Sequence, residues 1–428
     1  PPQVRCTGKV VDGQGQPLAG AQVELYRIIL VDENTYSFEV EKTKEAISGN
    51  DGAFSFETVQ EENSQANQSV ILAQKDGFSI GWANWIRRDN LETTITLGQP
   101  ADLAGRVVDE ADQPVAGAQV GIAFLLVNVN NEPRYMIQKV SRKLLTAVTD
   151  PEGGFVFKRL PAEATAEFAV EKTGRATVNT FQPGNYQGNV LQFKPGQKDI
   201  KIVQPLEAII EGQVVEKDSG KPAGGIRLAA RQKQSSAPFS PDPVLSDTEG
   251  RFRLNGLIAG PWTLSITGPK EGLAEWVIAP VEVIAEAGKT SEEVKIELVK
   301  GGIIEITVKD EESKQPVEKA TVIIRPAEGG QSFSMRSDSQ GLARQRMLPG
   351  SYRLSGVYMQ GGGGMQQRDE AITVEEGKTV QMECLLAGPT KVAGVVKDEA
   401  GQPVEGAQVA VYPMSRQGIS TDKEGHFE

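Results

Sequence analysis

The stretch Thr7–Tyr26 reads TGKVVDGQGQPLAGAQVELY, and four close copies of it follow along the chain. They are AGRVVDEADQPVAGAQVGIAF at 104–124, EGQVVEKDSGKPAGGIRLAA at 211–230, EITVKDEESKQPVEKATVII at 305–324 and AGVVKDEAGQPVEGAQVAVY at 393–412. The shared prolines are Pro17, Pro114, Pro222, Pro316 and Pro403. Neighbouring copies therefore lie between 87 residues (403 less 316) and 108 residues (222 less 114) apart. A solenoid repeat runs to about 20–50 residues, whereas ~100 residues is a whole small domain. The repeat predicts an array of β-domains, each with its own core. The boundaries it gives are 1–98, 99–204, 205–299 and 300–387 for complete units, with 388–428 a partial fifth.

Each copy reads as two strands around a turn. In the second, Leu103–Asp109 is strand-like, and Glu110–Pro114 is a polar turn whose proline sits where the next strand is about to begin. Ala118, Val120 and Ile122 then alternate with Gln119 and Gly121, and a period of two sends those three to one face. A second landmark, Thr149–Phe155 (TDPEGGF), returns at Ser246–Phe252 and Thr421–Phe427, and in altered form at Asn50–Phe54. An aspartate capping a turn, a glycine at φ > 0 and an inward aromatic account for it. The fourth copy keeps Asp338 and Gly341 but has Ala343 in place of the aromatic. A third landmark, Leu348–Tyr352, echoed at Leu257–Trp262, turns another aromatic into a strand. Each complete unit closes on a short alternating strand: Thr93–Leu97, Asp199–Val203, Glu293–Val299 and Thr379–Leu386. No amphipathic helix of ten residues or more is visible. The fold class is all-β, a linear array of Ig-like sandwiches with the last one incomplete.

The joints between units are short. Gly98–Asp102 and Gln204–Ala208 fill the first two, each with a proline. That composition stiffens a linker and predicts a semi-rigid rod. The net charge of −12 argues against nucleic-acid binding and weakens any case for docking on anionic lipid. No apolar run of about 18 residues exists, so no membrane insertion is expected. Cys6 and Cys384 fall in the first and fourth units and read as unpaired structural thiols; an intermolecular disulfide is the alternative in a secreted protein.

The V-x-G-x-V-x-D-x-x-G-x-P-x-x-G-A-x-V run with T-D-x-x-G-x-F resembles the carboxypeptidase regulatory-like domain, of the transthyretin-like and collagen-adhesin B-type sandwich group. The match is strongest at Gly8–Val23, Gly105–Val120 and Gly394–Val409, and looser in the third and fourth units. The resemblance implies a transthyretin-like sandwich and an accessory or structural role on secreted and cell-surface bacterial proteins. Some collagen-adhesin modules carry a Lys–Asn isopeptide bond. Lys9 and Lys309 are available here, but the four closing strands hold no asparagine, so none is expected.

Catalysis is not expected. His426 is the only histidine, which leaves no Ser-His-Asp or Cys-His arrangement and no zinc-peptidase ligand set. No cofactor or metal is expected; the aspartate turns lack the pattern of a calcium loop. Two insertions, Arg27–Ile47 and Leu125–Thr146, read as extended hairpins that either widen a sheet or project as arms toward a partner. Trp82 and Trp85, three apart in a strand, point to opposite faces: one for the core, the other available as a stacking platform for sugar. With Tyr36 and Tyr135 on the arms and Trp276, they are the candidate ligand or partner contacts. The fifth unit stops after Phe427, so either the chain continues beyond Glu428 or strands of another molecule complete it. The function expected is a non-catalytic, extracellular or cell-surface structural protein, a stalk or filament that self-associates. The alternative is a carbohydrate- or protein-binding accessory region of a larger surface protein or enzyme.

Overall fold

The computed structural model describes residues 3–32, 37–59, 68–86, 90–129, 132–180, 192–232, 241, 243–267, 273–330, 332–359, 362–387, 393–410 and 419–427. It is an all-β array of β-sandwiches. The first comprises β1 (Gln3–Asp12), β2 (Gln22–Asp32), β3 (Ser37–Ile47), β4 (Ala53–Val59), β5 (Gln68–Gln74), β6 (Gly81–Ile86) and β7 (Leu91–Leu97), in sheets β4-β1-β7 and β3-β2-β5-β6. The second comprises β8 (Pro100–Val108), β9 (Gln119–Val129), β10 (Glu132–Tyr135), α1 (Gln138–Leu144), β11 (Thr146–Val148), β12 (Gly154–Pro161), β13 (Thr165–Glu171), β14 (Val178–Asn179) and β15 (Ile200–Val203). Its sheets are β12-β8-β15 and β10-β9-β13-β14, with β11 also on β9.

The third comprises β16 (Ala208–Glu216), β17 (Arg227–Gln232), β18 (Val244–Leu245), β19 (Arg251–Leu257), β20 (Gly260–Ile266), β21 (Val281–Ala285) and β22 (Val294–Leu298), in sheets β19-β16-β22 and β18-β17-β20-β21. The fourth comprises β23 (Gly302–Asp310), β24 (Ala320–Pro326), β25 (Phe333–Arg336), β26 (Leu342–Met347), β27 (Gly350–Met359), β28 (Gly362–Val374) and β29 (Thr379–Leu386), in sheets β26-β23-β29 and β25-β24-β27-β28. Two short ladders follow. One pairs β30 (Gly394–Val395) with β33 (His426–Phe427), the other β31 (Gln408–Val409) with β32 (Ile419–Ser420). The chain divides into two compact units. One holds Pro1–Val215, Lys221–Ile266 and Pro280–Ile296, the other Glu216–Gly220, Thr267–Ala279 and Glu297–Glu428.

The repeated sequence produces a repeated geometry. The five landmark prolines each form one bridge, to Val11, Val108, Val215, Lys309 and Lys397. The aspartates of the second landmark cap their turns as expected. For instance, Asp247 Oδ1 accepts from the N–H groups of Glu249 and Arg251 at 2.9 and 2.8 Å. The following glycine takes a left-handed φ, +79° at Gly153, and a Cβ there would lie 2.4 Å from the Val107 carbonyl oxygen.

In the opening strand, Gly8, Gly105, Gly212 and Gly394 stand directly across the ladder from Phe54, Phe155, Phe252 and Phe427. The ring lies over the glycine, so that a Cβ on Gly105 would sit 2.8 Å from Phe155 and 2.4 Å from the Ile200 carbonyl oxygen of the closing strand. The fourth sandwich reverses the pair: Ile306 stands across from Ala343. The missing aromatic is thus replaced from the other strand, and both residues are buried.

A buried hydroxyl joins the two landmarks. Ser48, Thr149, Ser246, Ser337 and Thr421 are all buried. Each Oγ donates to a carbonyl just after the proline turn (Leu18, Val115, Ala223, Val317, Val404) at 2.6–2.8 Å. Each also accepts the N–H that starts the next strand (Ala21, Ala118, Ile226, Ala320, Ala407) at 2.8–3.0 Å.

Three findings correct the sequence reading. The units are not all separately cored. Val4, Val10, Leu25, Phe54, Ile71 and Trp85 belong to a core of the first sandwich alone, and the fourth has its own around Ile304, Ile324 and Leu354. But Ile28, Val70, Leu72, Ile80 and Trp82 of the first sandwich join one continuous cluster with the interior of the second. The arm at 125–146 is a hairpin only as far as Tyr135, which pairs with Leu126; α1 follows, and β11 then returns to β9 at Gln119–Gly121. Finally, Trp82 and Trp85 do face opposite ways, yet they are only 5% and 2% exposed. Neither offers a platform, since the sheet that carries them is covered on both faces.

Candidate functional site

What the fold builds with most specificity among the described residues is the joint between consecutive sandwiches. At the first joint, Trp82, Val70 and Leu72 meet the cluster that contains Met136 and Val140 at and within α1. Burying such side chains gives about 1.5–3 kcal/mol each relative to exposure, so this joint is an interior surface rather than a hinge. Polar ties ring it. The Asn84 side chain donates to the Tyr135 carbonyl at 2.6 Å, and Arg134 Nη1 to the Thr94 carbonyl at 3.3 Å.

Beside it, β12 bulges between Phe157 and Leu160, and Arg159 takes φ +58°. Its carbonyl accepts the Ile80 N–H of the first sandwich at 2.9 Å. Its own N–H donates to Asp102 at 3.3 Å, and its guanidinium reaches Gln74 and Asp76. A left-handed non-glycine residue costs about 1–3 kcal/mol, so the contacts it makes must hold it there.

The second joint repeats this plan. Gly256, at φ +68° beside a register shift in the β16–β19 ladder, accepts the Thr177 N–H at 2.8 Å. Its N–H donates to Glu207 Oε2 at 2.7 Å. Thr177 and Ile80 hold equivalent places, five residues after Lys172 and Lys75. Both lysines reach back to a carbonyl in the turn of their own sandwich, Ala116 and Ala19, at 2.5 Å. An open groove of about 690 Å³ lies at this joint, lined by Lys172, Arg175, Glu207, Asn255 and Gly256 among others, with charges of both signs. Where the fourth sandwich begins, β26 runs without a bulge, and the Arg346 guanidinium takes the place of a backbone carbonyl contact. It donates to the Ala274 carbonyl at 2.7 Å and to that of Lys300 at 2.6 Å.

Of the predicted contact residues, Trp82 is drawn into the first joint and Trp85 into the first sandwich's core. Trp276 is half-buried under the Lys300 ammonium, 5.7 Å from its ring centroid. Tyr36 lies outside the described residues. Among the described four, Tyr135 is the one that is well exposed, at 54%, and its ring stacks on Phe124 at 6.3 Å with a 14° tilt. Sequence reasoning missed Glu167. It is 2% exposed on β13, directly across from Phe124, and among the described residues neither its Oε2 nor the Thr165 Oγ1 on the same face has a hydrogen-bond partner. Burial pushes its carboxyl up to about 7, against a smaller opposing pull from a hydrogen bond with Gln192. The one available signal was a lone acid in the run AEFAV.

Both cysteines are free and buried, and burial pushes the Cys6 thiol up to about 12. Among the described residues no group of three or more His, Cys, Asp or Glu is placed to hold a metal ion, and no helix is long and apolar enough to cross a membrane.

The chain matches no family model and no curated protein. Among solved structures, it is similar to the TIE protein of Bacillus anthracis at 14% identity, over 86% of this chain and 69% of that one, with a TM-score of 0.20. It is similar to a minor pilin of Streptococcus agalactiae at 15% identity, over 43% of this chain and 98% of that one, with a TM-score of 0.24. A third is BcpA, the major pilin subunit of Bacillus cereus, at 10% identity, over 70% and 100% of the two chains, with a TM-score of 0.19.

Proposed function

We propose that this chain is a non-catalytic structural protein of the cell surface or extracellular space, a stalk or filament element built from tandem sandwiches of the carboxypeptidase regulatory-like kind. The modules are 1–98, 99–204, 205–299, 300–387 and the partial 388–428. The observation that carries the reading is the joint: the same bulge, carbonyl and acidic partner recur at Arg159 and Gly256, so the sequence specifies how one sandwich meets the next. A protein whose work is spacing needs that, whereas a string of independent binding modules does not. Self-association, end to end or lateral, supplies the assembly. Electron microscopy of the native material tests this: regular fibres or stalks are expected, and isolated flexible strings would refute it.

A second reading, a glycan- or protein-binding accessory region, rests on Tyr135, the exposed ring stacked on Phe124. Aromatic faces of this type suit sugar or apolar partners. A glycan array with full-length protein and its Tyr135→Ala variant separates the readings, since loss of a specific signal in the variant is what this one requires.

A further inference from the structure

In the first, second and fourth sandwiches the opening and closing strands are hydrogen-bonded neighbours and run parallel. Cys6–Asp12 lies beside Leu91–Leu97, Gly105–Val108 beside Ile200–Val203, and Ile303–Asp310 beside Thr379–Leu386. In the third, β16 neighbours β22, and Ile209 makes a parallel bridge to Thr290. Bonds outside the strands pin the ladders. Ile303 N–H donates to the Lys378 carbonyl at one end of the fourth, and Glu311 N–H to the Leu386 carbonyl at the other, at 2.8 and 2.9 Å. Ala104 and Gln204 close the two ends of the second by bonds to Gln197 and Val108 at 3.0 and 2.8 Å. In the fourth, side chains add to the ladder: Lys309 pairs with Glu383, and Gln381 donates to Glu305 at 2.8 Å.

The geometry decides how tension would act. The chain enters each sandwich at the first residue of the opening strand and leaves at the last residue of the closing one. In a parallel pair those two points lie at opposite ends of the same ladder. Pulling them apart slides one strand along the other, so all the evenly spaced bonds of the parallel ladder are loaded together. An antiparallel pair pulled from its open end would lose its bonds one at a time.

We propose that each complete sandwich is a shear clamp: the parallel opening and closing strands bear load as a unit when the chain is stretched through its ends, and the remaining strands stay out of the load path until that ladder fails. The clamp belongs to each sandwich singly and stands whether or not the chain assembles into filaments.

Single-molecule force spectroscopy on the full chain tests it by comparing two pulling directions. Pulled through its termini, the fourth sandwich should yield in one step that lengthens the chain by roughly 280 Å, at ~3.6 Å per released residue over Gly302–Leu386 less the folded span. Handles at Glu312→Cys and Ala387→Cys instead pull on adjacent ends of the same ladder and open it like a zip. A second pair, Gly13→Cys with Gly98→Cys, does the same for the first sandwich, and a Cβ at Gly13 meets nothing within 4 Å. Buried Cys6 and Cys384 leave the handles selective. The rupture force through the termini should be at least twofold that of the zip direction in whichever pair retains native circular dichroism. Equal forces in the two directions, or a lower force through the termini, would overturn the proposal.

Discussion

Gly105 and Phe155 show how one position dictates another. The glycine is there because a ring and a carbonyl occupy the place of its side chain. Gly105→Ala is expected to destabilise the second sandwich by about 1–3 kcal/mol, an overpacking cost. The fourth sandwich supplies the reciprocal test. Ala343→Phe alone should destabilise by a similar amount, and Ile306→Gly alone by ~3 kcal/mol or more through its cavity and the loosened backbone. The double variant rebuilds the glycine–aromatic pair and should recover ~0.5–3 kcal/mol relative to the sum. Hydrogen exchange of the fourth sandwich's amides reads all three, and strict additivity would count against the pairing.

Thr149 is the second residue-scale test. Thr149→Val keeps the shape but leaves the Ala118 N–H and Val115 carbonyl without their hydroxyl, at a cost of about 1–3 kcal/mol by thermal denaturation.

Glu167 makes a pH-dependent prediction. Its folded carboxyl titrates near 7, above its ordinary value of 4.5. The folded state therefore binds the proton more tightly, and this group's contribution to stability falls as pH rises from about 4.5 to 7, then levels off. Glu167→Gln should flatten the dependence of the melting temperature on pH across that window. An unchanged slope would show that the buried acid is not its source.

At the scale of elements, most strands were legible, because alternation in Ala118–Ile122 and its counterparts needs only one buried face. The turns were legible too, since aspartate and glycine at fixed spacing have few other uses. Three things were not. The helix α1 is seven residues long and carries Arg142 and Lys143 in its last turn, too short for a periodic signal. The role of Ser48 and its counterparts was hidden because a serine beside a turn aspartate reads as turn chemistry; only the folded structure shows its oxygen joining two segments. The joint was hidden because Arg159 and Gly256 share no side chain, only a backbone conformation. The candidate tryptophans misled for a related reason. Spacing gives the face a side chain points to, but not what covers that face. The joint carries its own prediction. Arg159→Gly should preserve the bulge, as Gly256 does, while Asp102→Ala should raise proteolytic susceptibility near 98–103; normal resistance in that variant would show the acid to be dispensable.

For the whole molecule, the decisive feature is that a copied blueprint does not yield wholly independent copies. The first sandwich has a private core on one face of its β2–β5–β6 layer and shares the other face with the second. Isolated apolar faces of this size are costly in water, so the first two should open together. In each complete sandwich, the first two included, the neighbouring opening and closing strands keep a tensile load inside the module. Hydrogen exchange with mass spectrometry on the full chain and its Trp82→Ala variant tests the shared interior most directly. Peptides from β5 and β6 and from β9 and β13 should lose protection together in the variant, while those from β23 and β29 keep theirs. Loss confined to the first sandwich would contradict it.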